Sequence, residues 1–311
     1  MDVVIVCHTE FGYATNQVIF DNNYKQGATD GVKNSILISD KFGAIVSFMI
    51  KPEVLESVSG LDFGNHEIGL HIHANDSFLL NKGLGDDDDN LRALDFERQR
   101  SMIAAGKEAV HSVLGIVPRT FVAGKWSVGN ETLRALVELG FSHDASGCPQ
   151  FFSPSCDWKK LPRICMPYSP SRGDYQAAGD VQITMVPASK EITGGLITPE
   201  NNSGLAFLSA AVREYMESGA PFLHIAFHSP ALISAAYRTI FSGLLQVISG
   251  FNVNFRSLSE VEPIKGSILS YPPHLAQYAS NLDLTGFSYI MRHAISHPRN
   301  AFAKVRHLGK E

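Results

Sequence analysis

Residues 66–73 read HEIGLHIH. On an extended strand the side chains at i and i+2 leave the same face, so His71 and His73 can turn both imidazoles toward one metal ion. In a chain with 12 histidines an HxH pair can also be incidental, and the surrounding pattern has to decide. That pattern alternates. Apolar runs suited to buried strands fall at 3–7, 44–50, 68–73, 120–123, 141–145, 181–186, 222–227 and 251–255, and helical spacing runs over 27–41, 92–114, 130–139, 204–218 and 236–248. Asn130 is expected to cap one of these helices and Gly140 to end it. Residues 147–172, rich in Pro, Ser and Cys, read as a long crossover or an active-site loop. Repeated βα units without a Gly-rich phosphate fingerprint predict an α/β fold, a single barrel over residues 1–270, with 271–311 as an extension.

Composition narrows the function classes. The 311 residues are 44% hydrophobic and 18% charged, as in an ordinary globular protein, and the net charge of -5 gives no electrostatic footprint for nucleic acid. Four cysteines (Cys7, Cys148, Cys156 and Cys165) show no CxxC pairing and are too few for a disulfide scaffold. The opening MDVVIVCH has no secretory signal pattern, and no apolar run reaches the ~18 residues of a membrane span, so a cytoplasmic protein is expected.

Three strand ends present groups that can do chemistry: His8, Thr9 and Glu10 after the first strand, His71 and His73 after the third, and His228 after FLHIAF. In a βα barrel the C-terminal ends of the strands converge on one mouth. A carboxylate and two imidazoles there suit Zn²⁺ or a similar divalent ion with an open position for water. His224 has the parity to share that face, or it is a satisfied core histidine. The four aspartates at 86–89 read as a solvated loop or the acidic approach to the next helix, since the spacing of a calcium loop is missing.

The segments FGAIVSFMI, NHEIGLHIH, VPRTFVAGKWSVGNETLRALVELGFSHDAS and FLHIAFHSP resemble, in order, the successive motifs of the polysaccharide deacetylases, carbohydrate esterase family 4 with NodB homology. The resemblance runs from about residue 3 to about residue 260. It implies a distorted (β/α)7-type barrel, a divalent metal with zinc as the expected ion, and hydrolysis of an N-acyl group on an amino sugar or a similar amide. It also implies roles. Glu10, His71 and His73 stand as metal ligands, and His228 as the acid that protonates the departing amine. Asp144 matches an acidic residue that orients or charges that histidine, or it is a loop aspartate.

The pattern departs from the family at coupled positions. Thr9 stands where the base aspartate is expected, and Val122 where an arginine holds that aspartate. The second metal histidine normally lies four residues on, where this chain has Asn75. An arginine without its carboxylate would be an unpaired charge in a narrow site, so losing both together is coherent. The base is then His8, Glu10 or Asp144, or the barrel binds its ligand without hydrolysing it.

Lys125 and Trp126 are expected to line the mouth as substrate-binding groups, although a Trp can equally pack the barrel end; Arg172 either reaches substrate or belongs to an ordinary turn. Near the C-terminus Arg292, Arg299, Lys304, Arg306 and Lys310 alternate with apolar residues. Such a segment suits peripheral contact with an anionic membrane surface, a phosphorylated partner or plain solvent. The expected substrate is an amino-sugar intermediate, nucleotide- or lipid-linked, of surface-glycan assembly. The alternatives are a non-catalytic carbohydrate-binding barrel and a metal-dependent hydrolase of a non-sugar amide.

Overall fold

The computed structural model describes residues 1–12, 24–264, 268–269, 271, 277–278 and 285–290. Its strands are β1 (Asp2–Thr9), β2 (Val46–Ile50), β3 (Glu67–Ile72), β4 (Thr120–Ala123), β5 (His143–Asp144), β6 (Phe152–Ser153), β7 (Cys156–Asp157), β8 (Thr184–Met185), β9 (Phe222–His228) and β10 (Asn254–Arg256). All but β6 and β7 join one parallel sheet, ordered β10-β1-β2-β3-β4-β5-β8, with β9 also on β1. Residues Ile5 to Thr9 of β1 pair with β2 and Asp2 to Val4 with β10, so these two share one edge while β9 runs along the other.

The eight-stranded sheet curls into a (β/α) barrel that is incompletely closed. Between β8 and β9 the ladder is missing, and the gap is bridged where the Ser189 amide donates to the His224 carbonyl at 3.0 Å. Strands buried on both faces carry near-continuous apolar runs, and β1 and β2 do so because helices cover the outside. Val3 to Cys7, Val46, Phe48 to Ile50, Leu70, Ile72 and Phe121 to Ala123 form the centre of one hydrophobic core.

One end of the barrel is shut. There the Leu258 amide donates to Ser47 Oγ (2.8 Å) and to the Glu67 carboxylate (2.7 Å), and His143 Nε2 donates to the Val261 carbonyl (2.9 Å). Ser47, Glu67 and His143 lie at the N-terminal ends of their strands, so the opposite, C-terminal end remains for a site.

Several boundaries differ from the sequence reading, each for a local reason. The long helix begins at Phe96, because the Asp95 side chain accepts from the Arg98 amide at 2.9 Å and caps it. Asn130 is the first helical residue and Gly129 the cap. The Asn130 amide is engaged elsewhere, accepting from the Tyr175 amide (2.9 Å) and donating to the Gly173 carbonyl (3.0 Å). It thereby ties the middle segment to the barrel. The strands expected at 141–145 and 181–186 shorten to two residues each, and the last strand starts only at Asn254. All four cysteines are buried and free.

Tyr278 donates to Glu214 (2.8 Å) and Tyr289 to Glu191 (3.2 Å), so these two described tyrosines pack on the segment before β9. The basic residues from Arg292 onward lie outside the described residues. No described helix is long and apolar enough to cross a membrane.

Helix Val32–Asp40 enters through a π-type turn, Gly27–Gly31, pressed against the chain that follows His228. A Cβ on Gly31 would stand 2.1 Å from the Ser229 carbonyl oxygen, a backbone atom that cannot swing aside. Gly31→Ala is expected to lower unfolding stability by about 1–3 kcal/mol in denaturant titration, through this overpacking alone.

Candidate metal centre and active site

The period of two sets the site. His8 and Glu10 from the end of β1, His71 and His73 from the end of β3, and His228 from the end of β9 all reach the open mouth. Glu10, His71 and His73 each offer one ligand atom, and these atoms lie within 4.8 Å of one another. Glu10 Oε2 stands 3.9 Å from His73 Nε2, while Glu10 Oε1 stands 3.7 Å from His228 Nε2. The rings of His71 and His73 meet edge to face at 4.7 Å.

His71 is fully buried, and its Nδ1 lies 3.1 Å from the Val122 carbonyl. A carbonyl only accepts, so Nδ1 carries the proton and Nε2 is left as a bare lone pair. That Nε2 is buried without a hydrogen-bond partner. A buried polar atom left orphaned beside a carboxylate and a second imidazole fits a metal ligand. Burial first, then the neighbouring imidazoles of His73 and His8, hold His71 well below the usual histidine range, which keeps the lone pair available.

His73 is held from behind. Its Nδ1 lies 2.9 Å from Asp89 Oδ2, and the same oxygen takes the Lys125 ammonium at 3.2 Å. Of the four aspartates at 86–89, then, the last is no solvated loop residue. Asp89 is buried, with a left-handed φ of 46°. Its three predecessors obscured it in the sequence: Asp87 and Asp88 are exposed, and Asp86 pairs with Arg98 at 3.2 Å. Burial works against the charge on Asp89, but the bonds from His73 and Lys125 hold its carboxyl below the ordinary value.

Across the mouth, His228 Nδ1 lies 3.1 Å from Glu200, whose carboxylate also accepts from the His228 amide. Burial opposes a charge on His228, yet Glu200 and then Glu10 outweigh it and lift its pKa to about 9. Glu200 sits in the segment between β8 and β9, where sequence periodicity gives no signal. The role foreseen for Asp144 thus has another occupant. Asp144 is the register partner of Phe121, so it falls on the face of the sheet opposite to His71, the partner of Val122. Its carboxylate accepts from the Ser146 amide (2.9 Å) and hydroxyl (2.5 Å) within its own loop.

His8 is wedged between His71 (4.9 Å between ring centroids), His228 (5.0 Å) and Trp126 (5.3 Å). Burial and the nearby histidines keep it neutral, well below the usual range, and its Nε2 has no hydrogen-bond partner. Thr9 is buried and turns its hydroxyl back to the Cys7 carbonyl at 3.4 Å, away from this mouth. Asn75 is exposed in the turn after β3, and His73 takes its place in the cluster. His224 lies one layer deeper, fully buried, with Nδ1 at 3.1 Å from the Val186 carbonyl.

Beside the cluster a cleft of about 520 Å³ is walled by Lys125 and Trp126 on one side and by Phe151, Ser153 and Ser155 of the β6–β7 hairpin on the other. This places the middle segment at the site. Lys125 and Trp126 are consecutive residues with left-handed φ of 52° and 57°, a strained pairing fixed where Trp158 Nε1 donates to the Trp126 carbonyl at 2.9 Å. A Cβ on Gly124, just before them, would stand 2.4 Å from the His73 ring. Arg172 is exposed in a turn whose Asp174 pairs with Lys160 at 2.6 Å, and it does not line the cleft.

Burial raises the Asp144 carboxyl from 3.8 to about 7, although the bonds from Ser146 oppose the shift. The folded state therefore binds a proton the unfolded chain has released between these two values. Its stabilising effect is complete below about 3.8 and is lost as pH rises through about 7. Denaturant titrations from pH 4 to 8 should show wild type losing stability relative to Asp144→Asn across that window.

No family model matches the chain, and no curated protein matches it in sequence. Solved structures do match in fold. A protein described as a polysaccharide deacetylase from Mycobacterium smegmatis is 17% identical with a TM-score of 0.56, over 76% of this chain and 77% of that one. One so described from Pseudomonas aeruginosa PAO1 is 13% identical with a TM-score of 0.55, over 82% and 87%. Puue allantoinase is 12% identical with a TM-score of 0.55, over the same shares. The chain therefore has the polysaccharide deacetylase fold, a NodB-like (β/α)7-type barrel in a divergent sequence.

Proposed function

We propose that this protein is a metal-dependent hydrolase that removes an N-acetyl or N-formyl group from an amino-sugar intermediate. One arrangement carries the reading: a Glu10, His71 and His73 cluster with a bare buried Nε2 on one side, and a charged His228 on the other, with Glu10 between them. These residues would hold a divalent ion, and the N,N,O donor set suits Zn²⁺. When bound, such an ion polarises an acyl carbonyl and makes water a stronger acid near neutral pH.

The chain's own groups then divide the proton work. His8, neutral and with an unpartnered Nε2, is placed to accept a proton from the attacking water. His228, kept protonated by Glu200, is placed to give its Nε2 proton to the nitrogen as the carbon–nitrogen bond breaks. The two rings meet edge to face at 5.0 Å between centroids, so the acceptor and the donor are neighbours. Trp126 covers His8 and limits water on that flank.

The cleft supports a sugar rather than a simple amide. Trp126 and Phe151 offer faces for an apolar ring surface, Asn90, Ser153 and Ser155 offer hydrogen bonds, and Lys125 suits a phosphate on a nucleotide or lipid carrier. A cytoplasmic role in surface-glycan assembly, with the basic C-terminal residues meeting an anionic membrane face, belongs to the same proposal. One observation favours a second reading, a non-catalytic carbohydrate-binding barrel: the buried Thr9 leaves the expected base position without a carboxylate.

His71→Ala should abolish stoichiometric Zn²⁺ binding and amine release together. His228→Ala should keep the metal and lower amine release about 10²- to 10⁴-fold, the usual worth of a general acid. Both are measured by metal analysis and by amine detection on nucleotide-linked N-acetyl and N-formyl amino sugars. Wild-type protein that holds metal and binds these sugars without releasing amine is the binding barrel; protein that turns over only simple amides acts on another substrate class.

A further inference from the structure

The metal reading leaves unexplained why a buried, left-handed aspartate faces the back of His73 and shares one oxygen with a cleft lysine. We propose that Asp89 is the positioning carboxylate of the metal centre, and that Lys125, by competing for Asp89 Oδ2, couples occupancy of the cleft to metal affinity. The inference rests on the metal-site reading and deepens it.

The geometry defines His73 from three sides. Asp89 Oδ2 at 2.9 Å fixes the proton on Nδ1, because a carboxylate only accepts, and so leaves Nε2, on the Glu10 side, as the lone pair that can ligate a metal. The His71 ring meets it edge to face at 4.7 Å. Gly124 underlies the ring so closely that a Cβ there would come within 2.4 Å. Without Asp89, the imidazole could present Nδ1 or Nε2 and could rotate away. A carboxylate behind a ligating histidine fixes tautomer and orientation and raises ligand basicity.

Lys125 joins this clamp to the cleft. Its ammonium lies 3.2 Å from the same Oδ2, and its side chain is 49% exposed on the cleft wall. While Lys125 holds Asp89, part of the carboxylate's negative charge is spent on the ammonium instead of the imidazole. A ligand anion in the cleft that draws Lys125 off returns that charge to His73, and by linkage a bound metal favours such a ligand in turn. The strained turn at Lys125 and Trp126 keeps the ammonium on this boundary.

The test is Zn²⁺ affinity of the full chain, measured by competition with a chromophoric chelator, and the His73 tautomer in the metal-free protein, read from long-range ¹H–¹⁵N NMR. Wild type should show Nδ1–H. Asp89→Ala should weaken Zn²⁺ about 10- to 100-fold and mix the tautomers, and Asp89→Asn, which keeps size and an acceptor oxygen, should fall between. Lys125→Ala should move the other way, tightening Zn²⁺ about two- to fivefold with the tautomer unchanged. Equal affinity and tautomer in wild type and Asp89→Asn, or weakening by Lys125→Ala that matches Asp89→Ala, overturns the proposal. Wild type that binds no Zn²⁺ overturns the metal-site reading itself, and the two failures are thereby distinct.

Discussion

The constraint on which the molecule depends is the period of two on a curled parallel sheet. Once β1, β3 and β9 lie in parallel register, with His8 beside His228 and His71 beside Val122, every second side chain faces inward and the strand ends meet at one mouth. A one-residue slip of β3 would turn His71 and His73 out among the helices. The apolar residues on the outer face, packed under those helices, make that slip costly. The register that builds the core and the register that builds the site are the same.

The histidines at the mouth then differ by environment. His8 and His71 are buried among other imidazoles, and burial keeps them neutral with open lone pairs. His228 is only half-buried, and two carboxylates face it and keep it charged. Glu10 stands between His73 and His228, within 4 Å of each. A neutral imidazole, His8, and a charged one, His228, thus meet at 5.0 Å between ring centroids, held apart in protonation by their surroundings.

Small residues and strained backbone mark where parts approach most closely. Gly31 lets the entering helix touch the chain behind His228, and Gly124 lets the turn after β4 slide under His73. Asp89, Lys125 and Trp126 all hold left-handed conformations around that histidine. Three such residues, none of them glycine, are expected where the surrounding packing over-determines a functional geometry.

The sequence by itself determined the alternation of strands and helices, the barrel class, and the strand-end groups Glu10, His71, His73, His8 and His228, because hydrophobic period and strand parity are local properties. It also showed Thr9 and Val122 where the motifs it resembles carry an aspartate and an arginine. Only the tertiary structure decided which carboxylates serve those histidines. Asp89 was hidden in a run of four acids, and it counts because a left-handed turn buries it behind His73. Glu200 was one polar residue in an irregular stretch, and it counts because the segment between β8 and β9 folds back over His228. Asp144, in an acidic slot by order of motifs, fell on the far face of the sheet through a register that no short-range pattern encodes. Contacts made across 16 or 28 residues of chain depend on how loops close over the mouth, and loop closure is set by packing rather than by periodicity.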